Sequence, residues 1–324
     1  MIVTPALADA NNGNWQTARR WGRFLAPLYP TRLVKAWPDA QSDGDVAMIA
    51  LHARRSAEAI AAWHARHGGD RLALVLTGTD LHRDIDDDPA AQRSLALASR
   101  LVVLHELGIE RLPAALRGKA RVIVQSAPAR TTPAKPKTRL TALMVGHLRA
   151  EKSPETLFAT ARLLKDEDNH GDIFIDHVGT ALDPALGREA ERTMAACPNY
   201  RWLGGLPHGE TRRRIQRAHV LVHPSRMEGG AHVVIEAVVS GTPVLASRID
   251  GNVSLLGKDY AGYFPWNDAA ALAALLAECR ATQADPAGLL ARLSARTAQR
   301  AERFLPERER EAVRGLAGEI AASA

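Results

Sequence analysis

The chain of 324 residues has only two cysteines, Cys197 and Cys279, far apart and without partners at metal-ligand spacing. That excludes a disulfide framework and a thiolate metal site. It marks both thiols as reduced, buried and inert, as in a cytoplasmic protein. Aromatic residues make up 5% of the chain, too few to form a stacking platform among the basic side chains. No apolar run approaches the roughly 18 residues of a membrane span, and no amphipathic segment shows an apolar-aromatic face, so stable membrane insertion is not expected. Met1-Ile-Val-Thr-Pro5 reads as a first strand, which leaves no room for a signal peptide. The motifs G-x-S-x-G, the P-loop and a full G-x-G-x-x-G are missing, which weakens hydrolase, kinase and dehydrogenase readings. Histidines lack H-x-x-x-H spacing, and His177, His208, His219 and His223 read as packed or rim residues. No metal and no cofactor is expected.

What is present begins with charge: a formal net of +6 and a pI near 9.6. Arginine heavily outnumbers lysine and alanine is abundant, a bias that a GC-rich genome produces without selection for nucleic-acid binding. The arginines of segment 292–314 alternate with Glu302, Glu307, Glu309 and Glu311, the mark of a solvated helix face. No nucleic-acid partner is expected, and the excess charge reads as steering towards small anionic substrates. The acidic run Asp84-Ile-Asp-Asp-Asp88 precedes Pro89 and a helical pattern. It reads as dipole-complementing caps rather than a hard-cation site.

Short apolar runs alternate with helical patterns twice along the chain. In the first half, Ile2-Val3-Thr4, Val46 to Leu51, Leu72 to Leu76, Leu101 to Leu104 and Val122 to Val124 read as strands. The intervening helices are expected at about Asn14 to Leu28, Ser56 to His67 and Pro89 to Ala98. In the second half the strands are Leu140 to Val145, Ile173 to Val178, Val220 to Val222 and Pro243 to Ala246. This predicts an α/β fold of two doubly wound parallel-sheet domains, residues 1–126 and 139–308, facing a cleft where ligands bind beyond the strand carboxyl ends. The Pro-rich segment 127–138 reads as the linker.

Chemistry concentrates at strand-to-helix junctions. In Ser225-Arg-Met-Glu-Gly-Gly-Ala-His-Val-Val-Ile-Glu236, Glu228 and Glu236 are seven residues apart, one after an apolar strand and one inside the next helix. Gly229 and Gly230 leave room for a ligand to approach backbone amides at a helix terminus. That arrangement suits a sugar nucleotide, with the diphosphate at the helix end and hydroxyls on carboxylates. Val145-Gly-His-Leu-Arg-Ala-Glu-Lys152 places Arg149 and Lys152 where a diphosphate leaving group develops charge. In the first half, Gly13 and Asn14 open a helix behind Asn12. His52, Arg54 and Arg55 follow the second strand and cap at Ser56, and Thr77, Asp80, His82 and Arg83 follow the third. These loops, rich in cationic and hydrogen-bonding groups, fit a small anionic acceptor.

The E-x7-E segment resembles the signature of the family 4 retaining glycosyltransferases. Taken with Gly13-Asn-Trp-Gln-Thr-Ala-Arg-Arg-Trp21, Leu51-His-Ala-Arg-Arg-Ser56, Thr77-Gly-Thr-Asp80, Val145-Gly-His-Leu-Arg149 and Ile249-Asp-Gly-Asn-Val-Ser-Leu-Leu-Gly257, it resembles a compact branch, the selenosugar synthases of selenoneine biosynthesis. Departures from the wider family are His147 where arginine is usual, Ser153 where glycine is usual, and an extra Arg149. The resemblance implies a GT-B fold, two Rossmann-like domains with the final helix, about 309–324, packing back on the first. It implies transfer of N-acetylglucosamine or glucose from a UDP-sugar to selenophosphate, forming a carbon–selenium bond. Glu228, Lys152 and Arg149 would be catalytic, and Ser225, His147, Gly229, Gly230, Ala231 and Glu236 would bind the donor, with Glu236 on the ribose. The alternatives are a family 4 transferase with a hydroxyl acceptor and a non-catalytic UDP-sugar sensor.

Overall fold

Leu72-Ala-Leu-Val-Leu76 is apolar at every position, as a parallel strand covered on both faces requires. In the computed structural model its residues 72, 74 and 76 join one core cluster and Ala73 and Val75 another. The structure describes residues 1–7, 13–166 and 172–322, and the chain forms two units. Unit 1 comprises Met1–Ser126, Glu228–His232 and Phe304–Ala324; unit 2 comprises Ala127–Met227 and Val233–Arg303.

Unit 1 runs β1 (Ile2–Val3), α1 (Gly13–Leu25), β2 (Leu33–Val34), β3 (Met48–Leu51), α2 (Ala57–His67), β4 (Leu72–Leu76), α3 (Ile85–Asp87), α4 (Pro89–Leu97), β5 (Arg100–Val103) and β6 (Ala120–Val122). Its six strands lie in the order β2-β1-β3-β4-β5-β6, every pair parallel. One face of this sheet packs on α2 and α4, and the other holds Trp21 of α1.

Unit 2 runs β7 (Leu140–Val145), α5 (Pro154–Asp166), β8 (Ile173–Val178), α6 (Pro184–Ala196), β9 (Tyr200–Trp202), α7 (His208–Arg217) and β10 (Val220–His223). It continues through α8 (His232–Val238), β11 (Val244–Ser247), α9 (Asp250–Leu256), β12 (Tyr263–Phe264), α10 (Ala269–Ala281) and α11 (Leu289–Arg300). These strands order as β12-β11-β10-β7-β8-β9, again all parallel. The order reverses between β7 and β10, the switch point where such sheets bind nucleotides. The last helix, α12 (Pro306–Ala322), packs on α1 within unit 1 through Val313, Leu316 and Ile320. No helix of the described residues is long and apolar enough to cross a membrane.

Several boundaries differ from the sequence reading. α1 stops at Leu25, not Leu28, because Pro27 disfavours helical geometry in the residue before it. Val46 is exposed and outside β3, and β6 lies two residues earlier than expected. β2, β9 and β12 went unread, and all are edge strands of two or three residues. Asn12 lies outside the described residues. Ser56 is not a side-chain cap, since its hydroxyl donates to Leu51 O at 2.6 Å. Asp88 does cap α4, accepting from the Ala90 and Ala91 amides, whereas Asp84 is buried and ion-paired. Neither cysteine forms a disulfide and both are buried, and burial pushes the Cys279 thiol up to about 12.

The segment 292–314 is not wholly a solvated face, because Glu309 is buried. It receives Arg20 Nε at 2.7 Å, Trp21 Nε1 at 2.7 Å, and the Ser126 amide and hydroxyl at 2.8 and 2.6 Å. Burial pushes this carboxyl up, but the Arg20 charge and the four donors outweigh it, leaving the pKa below its ordinary 4.5. The stability it contributes is therefore present above pH 4.5 and lost as pH falls through the lower folded value. Removing one partner strands the others, so Glu309→Ala should destabilise unit 1 by about 3–5 kcal/mol at pH 7. Urea unfolding measures this; a loss under about 1 kcal/mol would mean that the donors find other partners.

Candidate functional site

In unit 2 the switch point is built from the turns that follow β7 and β10. β7 ends in Gly146, whose carbonyl lies where a Cβ on Gly179 would meet it at 1.9 Å, so only glycine fits at 179. His177 fixes the same carbonyl: its Nε2–H donates to Gly146 O at 3.1 Å, and Nδ1 accepts from Tyr200 OH at 2.9 Å. Burial lowers the His177 pKa to about 4, so the ring is neutral. Lys152 lays its methylenes over Gly146, 3.4 and 3.5 Å from where a side chain would begin. His147 Nδ1 accepts from the Thr180 amide at 3.1 Å, which leaves its proton on Nε2. Burial, then the charges of Arg149 and Lys152, lower the His147 pKa. The turn thus gathers two cations and a neutral N–H donor, and the buried Arg149 Nε has no hydrogen-bond partner among the described residues.

Ser153 closes the turn at φ 46°, ψ 52°, left-handed geometry that glycine adopts without strain. This accounts for glycine at the matching position of the resemblance. Here the Ser153 hydroxyl accepts from Trp266 Nε1 at 2.9 Å. After β10, Ser225 is fully buried, and its Oγ has no protein partner while its carbonyl accepts from Ser247. The Arg226 amide donates to Glu151 O at 2.9 Å, tying the two turns together.

Glu236, one turn into α8, is buried and held by α7. His208 Nε2 lies 2.6 Å and Arg212 Nη1 3.5 Å from its Oε1. Arg212 is itself buried and donates to Pro128 O and Ser240 Oγ. Sequence reasoning missed both partners. Their i, i+4 spacing on α7 is legible, but nothing local says which carboxylate that face meets.

In unit 1 the acceptor-side residues separate into braces and exposed cations. Asp80 is fully buried, and its carboxylate accepts from the Ala53, Thr77 and Gly78 amides at 3.0, 2.9 and 2.8 Å. It joins the β3 and β4 loops, which corrects the expectation that it faces an acceptor. His52 is buried at φ 74°, its Nε2 3.2 Å from Thr79 Oγ1, and burial lowers its pKa. It is therefore a neutral group and not one of the site's cations. Arg54 and Arg83 reach buried Asp84 from opposite oxygens, at 3.1 and 3.0 Å, with much of each guanidinium exposed. Arg55 is exposed without a carboxylate partner among the described residues. Gly13 opens α1 with nothing within 4 Å of the side-chain direction, and Asn14 follows it half-buried.

The segment Glu228–His232 packs within unit 1. His82 Nε2–H donates to Glu228 O at 2.9 Å. A Cβ on Gly229 would lie 2.5 Å from the Gly78 amide nitrogen, and one on Gly230 would lie 2.9 Å from Leu104 Cβ; Ala231 is buried beside them. The space beside the two glycines, expected to admit a ligand, is thus filled by protein on the side-chain side. Among the described residues no group of three His, Cys, Asp or Glu side chains could hold a metal ion.

Each unit is thus an all-parallel α/β sheet, and that of unit 2 carries basic groups at its switch point. The family described as Glycosyl transferases group 1 matches residues 127–297, more than half of the chain, and the chain belongs to that family. Solved structures share the GT-B fold. Sucrose-phosphate synthase from Thermosynechococcus elongatus superposes with a TM-score of 0.73 at 19% identity, covering 97% of this chain and 94% of that one. An Anabaena protein, HepE, in complex with UDP and glucose, superposes with a TM-score of 0.66 at 16% identity, covering 84% and 77%. The D-inositol 3-phosphate glycosyltransferase of Streptomyces avermitilis is 26% identical over 298 residues, 90% of this chain and 59% of that protein. Glycosyltransferase 1 domain-containing protein 1 of Xenopus tropicalis is 24% identical over 120 residues, 37% and 34%. The chain thus spans about three-fifths and about one-third of these two relatives.

Neutral His177 links this turn to acid stability. Its pKa falls from 6.5 to about 4 on folding, so its contribution is full above pH 6.5 and declines as pH drops towards the folded value. Wild-type protein should lose about 2 kcal/mol from this residue between pH 7 and pH 5. In His177→Gln that part of the loss should vanish. Chemical unfolding at both pH values compares the slopes, and identical slopes would place the titration elsewhere.

Proposed function

We propose that the protein transfers N-acetylglucosamine or glucose from a UDP-sugar to selenophosphate, as a selenosugar synthase of the family 4 branch. The observation that carries the donor half is the turn after β7, with Arg149, Lys152 and the His147 N–H at the switch point of unit 2. A departing diphosphate gains negative charge as its bond to the anomeric carbon breaks, and fixed cations there lower the barrier. HepE, a neighbour in fold, was solved with UDP and glucose, which supports the same class of donor. On this reading unit 2 holds the donor and unit 1 the acceptor. Glu236 binds ribose hydroxyls while His208 and Arg212 orient it, and Glu228 serves the sugar or the charge developing at its anomeric carbon. Ser225, with an unpartnered buried hydroxyl, completes the donor set.

The acceptor half rests on Arg54, Arg55 and Arg83 at the loops of unit 1. Together they offer three exposed guanidiniums against one buried carboxylate, Asp84. Such a site suits a phosphate-bearing acceptor, for which guanidinium forks provide paired hydrogen bonds. Selenophosphate is already an anionic nucleophile, so selenium attacks the anomeric carbon and UDP leaves without a protein general base.

A second reading is a hydroxyl acceptor that also bears phosphate. The name of the Streptomyces relative, a D-inositol 3-phosphate glycosyltransferase, favours it. UDP release from UDP-N-acetylglucosamine and UDP-glucose, measured with and without selenophosphate, separates the two when products are weighed for the isotope pattern of selenium. Selenophosphate-dependent release with a selenium-bearing sugar is expected. Release only with a phosphorylated polyol would give the second reading, and UDP binding without any release would indicate a sensor. Lys152→Ala should lower kcat by about 100-fold or more with the unfolding midpoint unchanged. Turnover close to wild type in that variant would remove Lys152 from the mechanism.

A further inference from the structure

Strand order leaves part of one face of the unit 2 sheet without a helix. The steps β7–α5–β8 and β8–α6–β9 run outward, and right-handed crossovers put α5 and α6 on the same face. The chain must then return from β9 across two strands to β10, so α7 lies on the other face, where it packs on β7. Beside α7 a cavity of about 540 Å³ remains, floored by Leu143 of β7, Phe174 and Asp176 of β8 and Arg201 of β9. These positions alternate along their strands and so share a face.

The wall contributed by α7 is basic. Glu210, Arg213, Arg214 and Arg217 fall at i, i+3, i+4 and i+7, a single stripe, and all line the cavity. The stripe runs beside the face that α7 buries through Thr211, Arg212 and Ile215. Asp176 takes Arg201 at 2.8 Å and Arg214 at 3.7 Å, and Glu210 takes Arg214 at 3.4 Å. Both carboxylates of the lining are thereby committed. Arg139, Arg213 and Arg217 also line the cavity and pair with no carboxylate among the described residues. Behind the same wall, His219 is held neutral by accepting the Thr141 amide on Nδ1. Burial lowers its pKa, and the charges of Lys135 and Arg139 lower it further. Among the described residues the region therefore carries more guanidiniums than carboxylates.

It is also distinct from the sugar-nucleotide turn. Thr141, in the lining, precedes Gly146 by five residues of strand, about 16 Å at roughly 3.3 Å per residue.

We propose that this cavity binds a phosphorylated small molecule, its phosphate held by Arg213 and Arg217 and its body resting on Leu143 and Phe174. Guanidiniums without partners match phosphate oxygens in paired hydrogen bonds, and the volume is that of a site for a nucleotide-sized ligand. Arg213 and Arg217 are exposed, so replacing them leaves the core of unit 2 intact.

Isothermal titration of the full chain with AMP, and separately with inorganic pyrophosphate, tests the assignment in two double variants. One is Arg213→Ala/Arg217→Ala. The other, Arg188→Ala/Arg192→Ala, removes the same charge from exposed positions of α6 on the opposite face. Saturable binding of either probe is expected, weakened about tenfold or more in the first variant and less than about twofold in the second. Should the first variant unfold early, Arg139→Ala gives the same reading from another wall. Absence of saturable heat with both probes, or equal weakening in the two double variants, would overturn the proposal.

Discussion

A parallel sheet sends the carboxyl ends of all its strands to one edge, and everything chemical in each unit hangs from that constraint. In unit 2 the chain leaves β7 and β10 towards opposite faces although the strands are neighbours, so the turns after them flank an open crevice. The turn after β7 is fixed by close backbone packing and one buried side chain. Gly179 must lack a side chain for the Gly146 carbonyl to pass, and the neutral ring of His177 holds that carbonyl in place. Only then do Arg149 and Lys152 have a defined position. Unit 1 solves the same problem with a buried carboxylate, Asp80, whose three backbone amide partners join its β3 and β4 loops.

Three interior strands were legible in the sequence to the residue, Leu72–Leu76, Leu140–Val145 and Ile173–Val178, and the first two are apolar or β-branched at every position. β2, β9 and β12 escaped notice for the opposite reason, since a two- or three-residue edge strand carries no period to read. The basic turn at Arg149 and Lys152 was legible because glycine, cations and a helix start follow one another locally. Asp80 was not, because its partners at Ala53 and Gly78 lie in two different loops. Neither was the triad of Glu236, His208 and Arg212, which joins α7 to α8 across more than twenty residues. Local chemistry can be read from spacing, but a long-range partner requires the fold.

The same limit applies around Gly229 and Gly230. A glycine pair beside a helix start admits a ligand or another stretch of backbone equally well. Here the Thr77–Gly78 backbone and the Leu104 side chain lie in the direction a Cβ would take.

Arginine is where composition and geometry part company most clearly. A surplus of basic residues, met as a total, says only that anions are attracted, and a GC-rich genome supplies arginine codons without selection. The structure sorts the same side chains by what they touch. Arg20 and Arg212 are buried against Glu309 and Glu236 and hold elements together, which is electrostatics serving architecture. Arg54 and Arg83 share Asp84, Arg54 also lying 4.0 Å from Asp88, and both side chains remain substantially exposed. Arg55, Arg213 and Arg217 have no carboxylate at all among the described residues, and such a group stays solvated until an anion arrives. A net charge of +6 is therefore not spread as a general field. It is what remains after the architectural arginines are neutralised, and it collects at the loops of unit 1, the turn after β7 and the α7 wall, where phosphate chemistry has a use for it.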